Sequence, residues 1–240
     1  MLVRLFVLAF SLSLAHHAFA TTIEAVTEDS AYTFVNHGRV SGPASDIVRD
    51  TLDKAGLLDV QFSLYPWARA YSLALAEPNV LIYPIARTPE REELFKWVGR
   101  LKRVTIHLYK FRSGHEIRAS DIEQARQYVV GAVRGDARSD YLAKHGFSKL
   151  VLSATNDQNF HLFQLREVQM IALPESEAIG FCKKADIPFT DLEAVIPLND
   201  LEIGVYMAYS LATPDETVLQ TVHAFNAIEA AGGLQKMDAQ

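Results

Sequence analysis

Two short segments of this 240-residue chain gather arginine, acid and turn-forming residues: Arg87-Thr-Pro-Glu-Arg91 and Arg134-Gly-Asp-Ala-Arg138. A guanidinium grips a carboxylate through two parallel hydrogen bonds, so arginines facing a cleft suit an anionic ligand. The competing account of Arg91 is a solvated helix arginine paired with an acid three or four residues away. Trp67 and Arg69 open a further helix. Trp67 shares an apolar face with Ala70, Tyr71, Ala74 and Leu75, whereas Arg69 lies off that face. Other chemistries lack their residues. The eight histidines (16, 17, 37, 107, 115, 145, 161 and 223) make no H-E-x-x-H or other close ligand spacing, so no metal is expected. No G-x-S-x-G elbow, Walker loop or G-x-G-x-x-G occurs, and no cofactor is expected.

Composition narrows the class. The chain is 49% hydrophobic, too apolar for a disordered polymer, and its net charge of −6 argues against a nucleic-acid partner. Cys182 stands alone, so no internal disulfide can form, and a buried apolar role suits it. Residues 1–20 have a basic start at Arg4, an apolar run from Leu5 to Leu14 and a small-residue end at Ala18-Phe-Ala20. This is the layout of a secretory signal peptide cleaved after Ala20, and the apolar run is too short to span a bilayer. The expected mature protein is therefore exported, not membrane-embedded, and carries net charge −7 once Arg4 is gone.

The rest of the chain must supply elements that position these groups. Strands are expected at Ile23–Val26, Val60–Leu64, Val80–Ile85, Tyr128–Val133, Leu150–Ser153, Gln169–Leu173 and Ala194–Leu198. Helices fit at Ser45–Ala55, from Pro66 to Pro78, from Gly135-Asp136 to Gly146, and near 157–166 and 176–185. Thr88-Pro89 predicts a short helix ending near Trp97. Val104, Ile106 and Leu108 alternate as in one long strand, and Ile203–Ser210 reads as a second. Thr213-Pro-Asp-Glu216 has the form of a capping box for a last helix, whose face is Val218, Val222 and Phe225 and whose stop is Gly232-Gly233. Strand–helix alternation on this scale implies α/β lobes with parallel sheets, and two long strands between the halves imply two crossings and a cleft.

In order and spacing these segments resemble the amino-acid type of periplasmic solute-binding protein, family 3. The resemblance rests on Gly38-x-x-x-Gly42-x-x-x-Asp46, Tyr65-Pro-Trp-Ala-Arg-Ala70, Asn79–Ala86, Thr88-x-x-Arg91 followed by Phe95-Lys-Trp-Val98, Val130–Gly135, and Phe225-Asn226 with Gly232-Gly-Leu234. It implies a type II periplasmic-binding-protein-like fold: two α/β lobes, 21–108 plus 206–240 and 109–205, joined by two crossing strands. It further implies capture of a small-molecule solute, carboxylate-bearing and amino-acid-like, for an inner-membrane ABC permease. By that likeness Arg91 holds the ligand carboxylate, Trp67 and Tyr32 stack on it, and Arg69 and Arg87 reach the cleft. In the second lobe Asp136, with Arg134 and Arg138 beside it, takes the place of the family's carboxylate-binding turn, although Asp136 also reads as a plain helix cap. Glu175 stands one position from the family's ammonium-binding aspartate. The strand end that usually offers hydroxyls reads Tyr83, Pro84 and Ala86 instead. The alternatives are a dehydratase-type enzyme using Glu175 or Asp136 as acid or base, and a partner that reports its ligand state to a membrane sensor.

Overall fold

The computed structural model describes residues 22–113, 116–198, 201 and 203–238; the expected signal peptide lies outside them. In chain order the elements are β1 (Ile23–Thr27), the β2–β3 hairpin (Phe34–Asn36, Arg39–Ser41), α1 (Pro43–Lys54), β4 (Val60–Leu64), α2 (Trp67–Ala76), β5 (Val80–Ala86), a 3-10 turn (Pro89–Leu94), β6 (Phe95–Val104) and β7 (Ile106–Phe111). Then follow α3 (Ile122–Ala125), β8 (Val130–Val133), α4 (Ala137–Lys144), β9 (Leu150–Ser153), α5 (Asn156–Gln164), β10 (Met170–Pro174), α6 (Glu175–Lys184), a 3-10 turn (Phe189–Asp191), β11 (Leu192–Pro197), β12 (Ile203–Ser210), α7 (Asp215–Ala230) and a final 3-10 turn (Gly233–Met237).

Two five-stranded sheets result, ordered β4-β1-β5-β12-β6 and β11-β7-β10-β8-β9. In each, three consecutive strands out to one edge are parallel (β4-β1-β5 and β10-β8-β9), as alternating strands and helices require, but neither sheet is wholly parallel. β12 runs antiparallel to β5 and β6, and β7 antiparallel to β10 and β11. The crossing strands leave one lobe and return to it, which reverses their direction. The long strand expected across 104–108 is two strands broken at Thr105: β6 pairs along β12 in the first sheet, and β7 belongs to the second. The lobe boundary read at 108 therefore falls within β7. β12 lies in the first sheet from Ile203, ahead of the second boundary at 205/206.

Two local expectations fail for identifiable reasons. The helix from Pro89 does not reach Trp97, because Phe95 already pairs with Ser210 and the β6–β12 ladder takes the chain. Thr213 caps nothing: Pro214 occupies the cap position, and the Thr213 hydroxyl accepts the Asn79 N–H at 3.2 Å and bonds Ser210 Oγ at 2.9 Å. The α7 face reads as expected, with Val218 and Phe225 buried, and Gly232 ends it at φ 78°. Gly99 permits the packing of α7 on β6, since a Cβ there would overlap the Phe225 ring. Gly99→Ala should cost about 1–3 kcal/mol by overpacking, read as a lowered midpoint in thermal unfolding.

Candidate functional site

The parallel strands of both sheets end at the junction of the lobes, where ligands bind in open α/β sheets. Among the cavities there, two share Trp67 and Arg91. The inner one, about 60 Å³, is lined from lobe 1 by Glu28, Tyr32, Trp67, Pro84, Ala86 and Arg91. From lobe 2 it takes Asp136, Arg138, Pro174 and Glu177. The outer one, about 830 Å³, shares Trp67, Arg91 and Ala137 with the inner and adds Arg87, Arg134 and residues of α4.

The wall between them is built on one carbonyl. Trp67 Nε1 donates to Gly135 O at 2.8 Å, and Arg91 Nη2 donates to the same oxygen at 3.1 Å. The Arg91 guanidinium is buried, with its carbon 5.4 Å from the Trp67 ring centre and 5.0 Å from that of Tyr71. A guanidinium carries five N–H donors, so Arg91 keeps capacity for a ligand beyond its contact with Gly135. Tyr32 adds a further contact between lobes, its hydroxyl bonding Ser176 Oγ at 2.5 Å.

The inner chamber is dominated by an ionic network around Arg138. Its guanidinium pairs with Asp136 at 2.8 Å and Glu177 at 3.0 Å, and donates to Asn156 Oδ1 at 3.1 Å. Asn156 in turn donates to Glu28 Oε2 at 3.1 Å, which carries the network across to lobe 1. Burial pushes the Arg138 guanidinium down, but Asp136 and Glu177 more than reverse this. Burial also opposes ionisation of Asp136, and the Arg138 guanidinium beside it holds that carboxyl below its ordinary value. Glu177 is pushed up by burial, which Arg138 offsets only in part. Glu28 is pushed up to about 8, by burial first and the Asp136 carboxylate second.

That shift fixes the sign of a pH effect. Between the ordinary glutamate range and about pH 8, the folded protein keeps a proton on Glu28 that the unfolded chain has lost. Stability contributed by this proton is full at low pH and declines as pH rises through that window. Glu28→Gln should therefore match the wild type near pH 4.5 and melt at a higher temperature than it at pH 8. Melting curves across pH check this, and parallel profiles would contradict it.

The structure brings together only part of the expected set. Trp67, Arg91, Asp136, Arg138 and Tyr32 meet at the inner chamber, with Asp136 also the cap of α4. Arg87 and Arg134 line only the outer one, and Arg87 pairs with Glu92 at 2.5 Å. Arg69 lies outside both, exposed, with its guanidinium 4.3 Å from the Tyr65 ring centre. Tyr83 points away, fully buried beneath α1, and its hydroxyl donates to Ser45 Oγ at 3.2 Å. The alternation of β5 instead turns Pro84 and Ala86 to the cavity. Glu175 is exposed at the start of α6; two positions on, about 200° round the helix, Glu177 takes the inward place. Glu28, Glu177 and Asn156 were missed. Glu177 had a signal, since it lies four residues before Phe181 on the face that buries Ala178 and Cys182. Among the described residues no grouping of side chains could hold a metal ion, and no helix is long and apolar enough to cross a membrane.

No protein-family model matches the chain, and no curated protein sequence does. Solved structures do. A histidine kinase sensor domain with similarity to periplasmic binding proteins superposes with TM-score 0.78 at 17% identity, over 91% of this chain and 94% of that one. An ancestral arginine-binding protein bound to arginine gives 0.76 at 15%, over 90% and 95%. A periplasmic His/Glu/Gln/Arg/opine family-binding protein from Silicibacter pomeroyi, in complex with lysine, gives 0.73 at 18%, over 90% and 94%. At these identities the likeness is one of architecture, and the chain has the type II periplasmic-binding-protein fold.

Proposed function

We propose that this protein is an exported solute-binding protein that closes its lobes on a small zwitterionic, amino-acid-like solute and delivers it to an inner-membrane ABC permease. The observation that carries the reading is the charge pattern of the inner chamber. Lobe 1 contributes Arg91 and Glu28, and lobe 2 contributes Asp136, Glu177 and Arg138. Arg138 is already matched by Asp136 and Glu177. That leaves Arg91 for a carboxylate and Glu28 for an ammonium, whose positive charge would favour the ionised form and draw off the proton Glu28 holds in the empty chamber. An arginine-lined cleft for a simple anion, as the sequence suggested, fits less well, because carboxylates outnumber arginines in this chamber. The small volume means that the lobes part to admit an amino acid, a hinge motion this architecture provides.

Solved proteins of this fold that bind arginine or lysine support the transport reading over a dehydratase. The likeness to a kinase sensor domain favours a second reading, in which the closed state is read by a membrane sensor. A thermal-shift screen of amino acids, their amines and their acids tests solute capture: a binder raises the melting temperature by mass action. Loss of uptake on deleting the gene supports delivery to a permease, and intact uptake with a lost response supports the sensor.

A further inference from the structure

We propose that the outer chamber is a second binding site, for a planar aromatic carboxylate. Its volume is about 830 Å³, and both lobes build it. Lobe 1 supplies Trp67 and Tyr71, whose ring centres lie 5.6 Å apart at 31°. Lobe 2 supplies Tyr141 and His145, stacked at 3.9 Å and 28° and held by a 2.8 Å contact of His145 Nδ1 with Tyr141 O. Trp67 is buried and Tyr71, Tyr141 and His145 are half-buried, and flat rings supplied by both lobes favour a flat guest, since offset stacking adds to the area buried.

The charge of the chamber supplies the other half of the argument. Four cationic side chains line it against two acidic ones, in a chain whose net charge is −6. Lys144 is paired across the lobes with Glu90 at 3.4 Å, and Arg87 with Glu92. Arg134 is exposed at the mouth, and none of the described residues pairs with its side chain. A guanidinium so placed can take a carboxylate through both its N–H edges. Asp140, on the same lining, would repel a dianion and so favours a single carboxylate. The Trp67–Gly135–Arg91 wall separates this site from the inner chamber, so the proposal stands whether or not the inner chamber binds an amino acid.

The test is calorimetric titration of 2-naphthoate into the full mature protein, with cyclohexanecarboxylate as the non-aromatic control. Naphthoate should bind one to one, about tenfold or more tighter than the control. Arg134→Gln and Tyr141→Leu should each weaken it about tenfold, with unfolding midpoints reported to separate lost binding from lost folding. The His145 ring signals in NMR should shift along the same binding curve. Equal affinity for the two acids, unchanged binding by a folded Arg134→Gln, or an unmoved His145 would overturn the proposal.

Discussion

Replacing Arg138 by alanine should destabilise the folded protein by about 3–5 kcal/mol, measured by urea unfolding at neutral pH. The figure follows from what the guanidinium leaves behind rather than from what it contributes. Asp136 and Glu177 would remain in the closed junction without their cation, and Asn156 Oδ1 and Ala172 O would each lose a donor. Unpaired buried charges cost far more than a surface ion pair yields. The sign of the pH dependence follows from Asp136. Its carboxyl is held below the ordinary value, so the stability it contributes is present above the unfolded value and fades as pH falls through the folded one. The gap between wild type and Arg138→Ala should be widest near neutrality and shrink in acid. Adding Glu177→Gln to the alanine variant should recover part of the loss, because one of the stranded charges is gone. A loss below about 1 kcal/mol would mean that the carboxylates find water instead and that the network is a surface feature.

The second large effect falls on binding. Arg91→Ala should cost about 2–5 kcal/mol of affinity for a carboxylate-bearing solute, with the upper end applying if the pair is fully desolvated. Arg91 is 5% exposed and held by the Gly135 carbonyl and two aromatic rings, so it is already oriented before a ligand arrives. Preorganisation of this kind lowers the ordering cost of binding. The Arg91→Lys variant distinguishes charge from geometry: a lysine keeps the charge but loses the planar fork. Recovery of most of the affinity by lysine would show that Arg91 acts as a point charge only.

The sequence revealed the scaffold more fully than the site, and the reason is one of range. A strand such as β4 is written in local alternation, and α1 in the apolar face of Val48 and Leu52 and the Gly56 that follows it, although the helix opens two residues earlier than expected, at Pro43. Errors arose where a partner at long range took over: β12 drew Phe95 into a ladder, and Asn79 and Ser210 drew Thr213 away from its cap. The site suffered more, because Glu28 and Glu177 lie about 150 residues apart and meet only when two lobes face each other. Nothing in the polar run after β1 marks Glu28. Glu177 was legible, as a carboxylate on an apolar helix face, but the resemblance drew attention to Glu175 instead. The five arginines thought to share one cleft divide between an inner chamber, an outer chamber and solvent. That division turns an anion site into one that asks for both signs of charge.

The most direct measurement is a calorimetric comparison of one amino acid with its deaminated acid and its decarboxylated amine, on the same wild-type protein at neutral pH. Arg91 on one side, and on the other Glu28, which an ammonium would draw into its ionised form, require both ends of the zwitterion. The amino acid that binds best should therefore lose about tenfold or more in affinity when either end is removed. An acid that binds as tightly as its parent amino acid would contradict it.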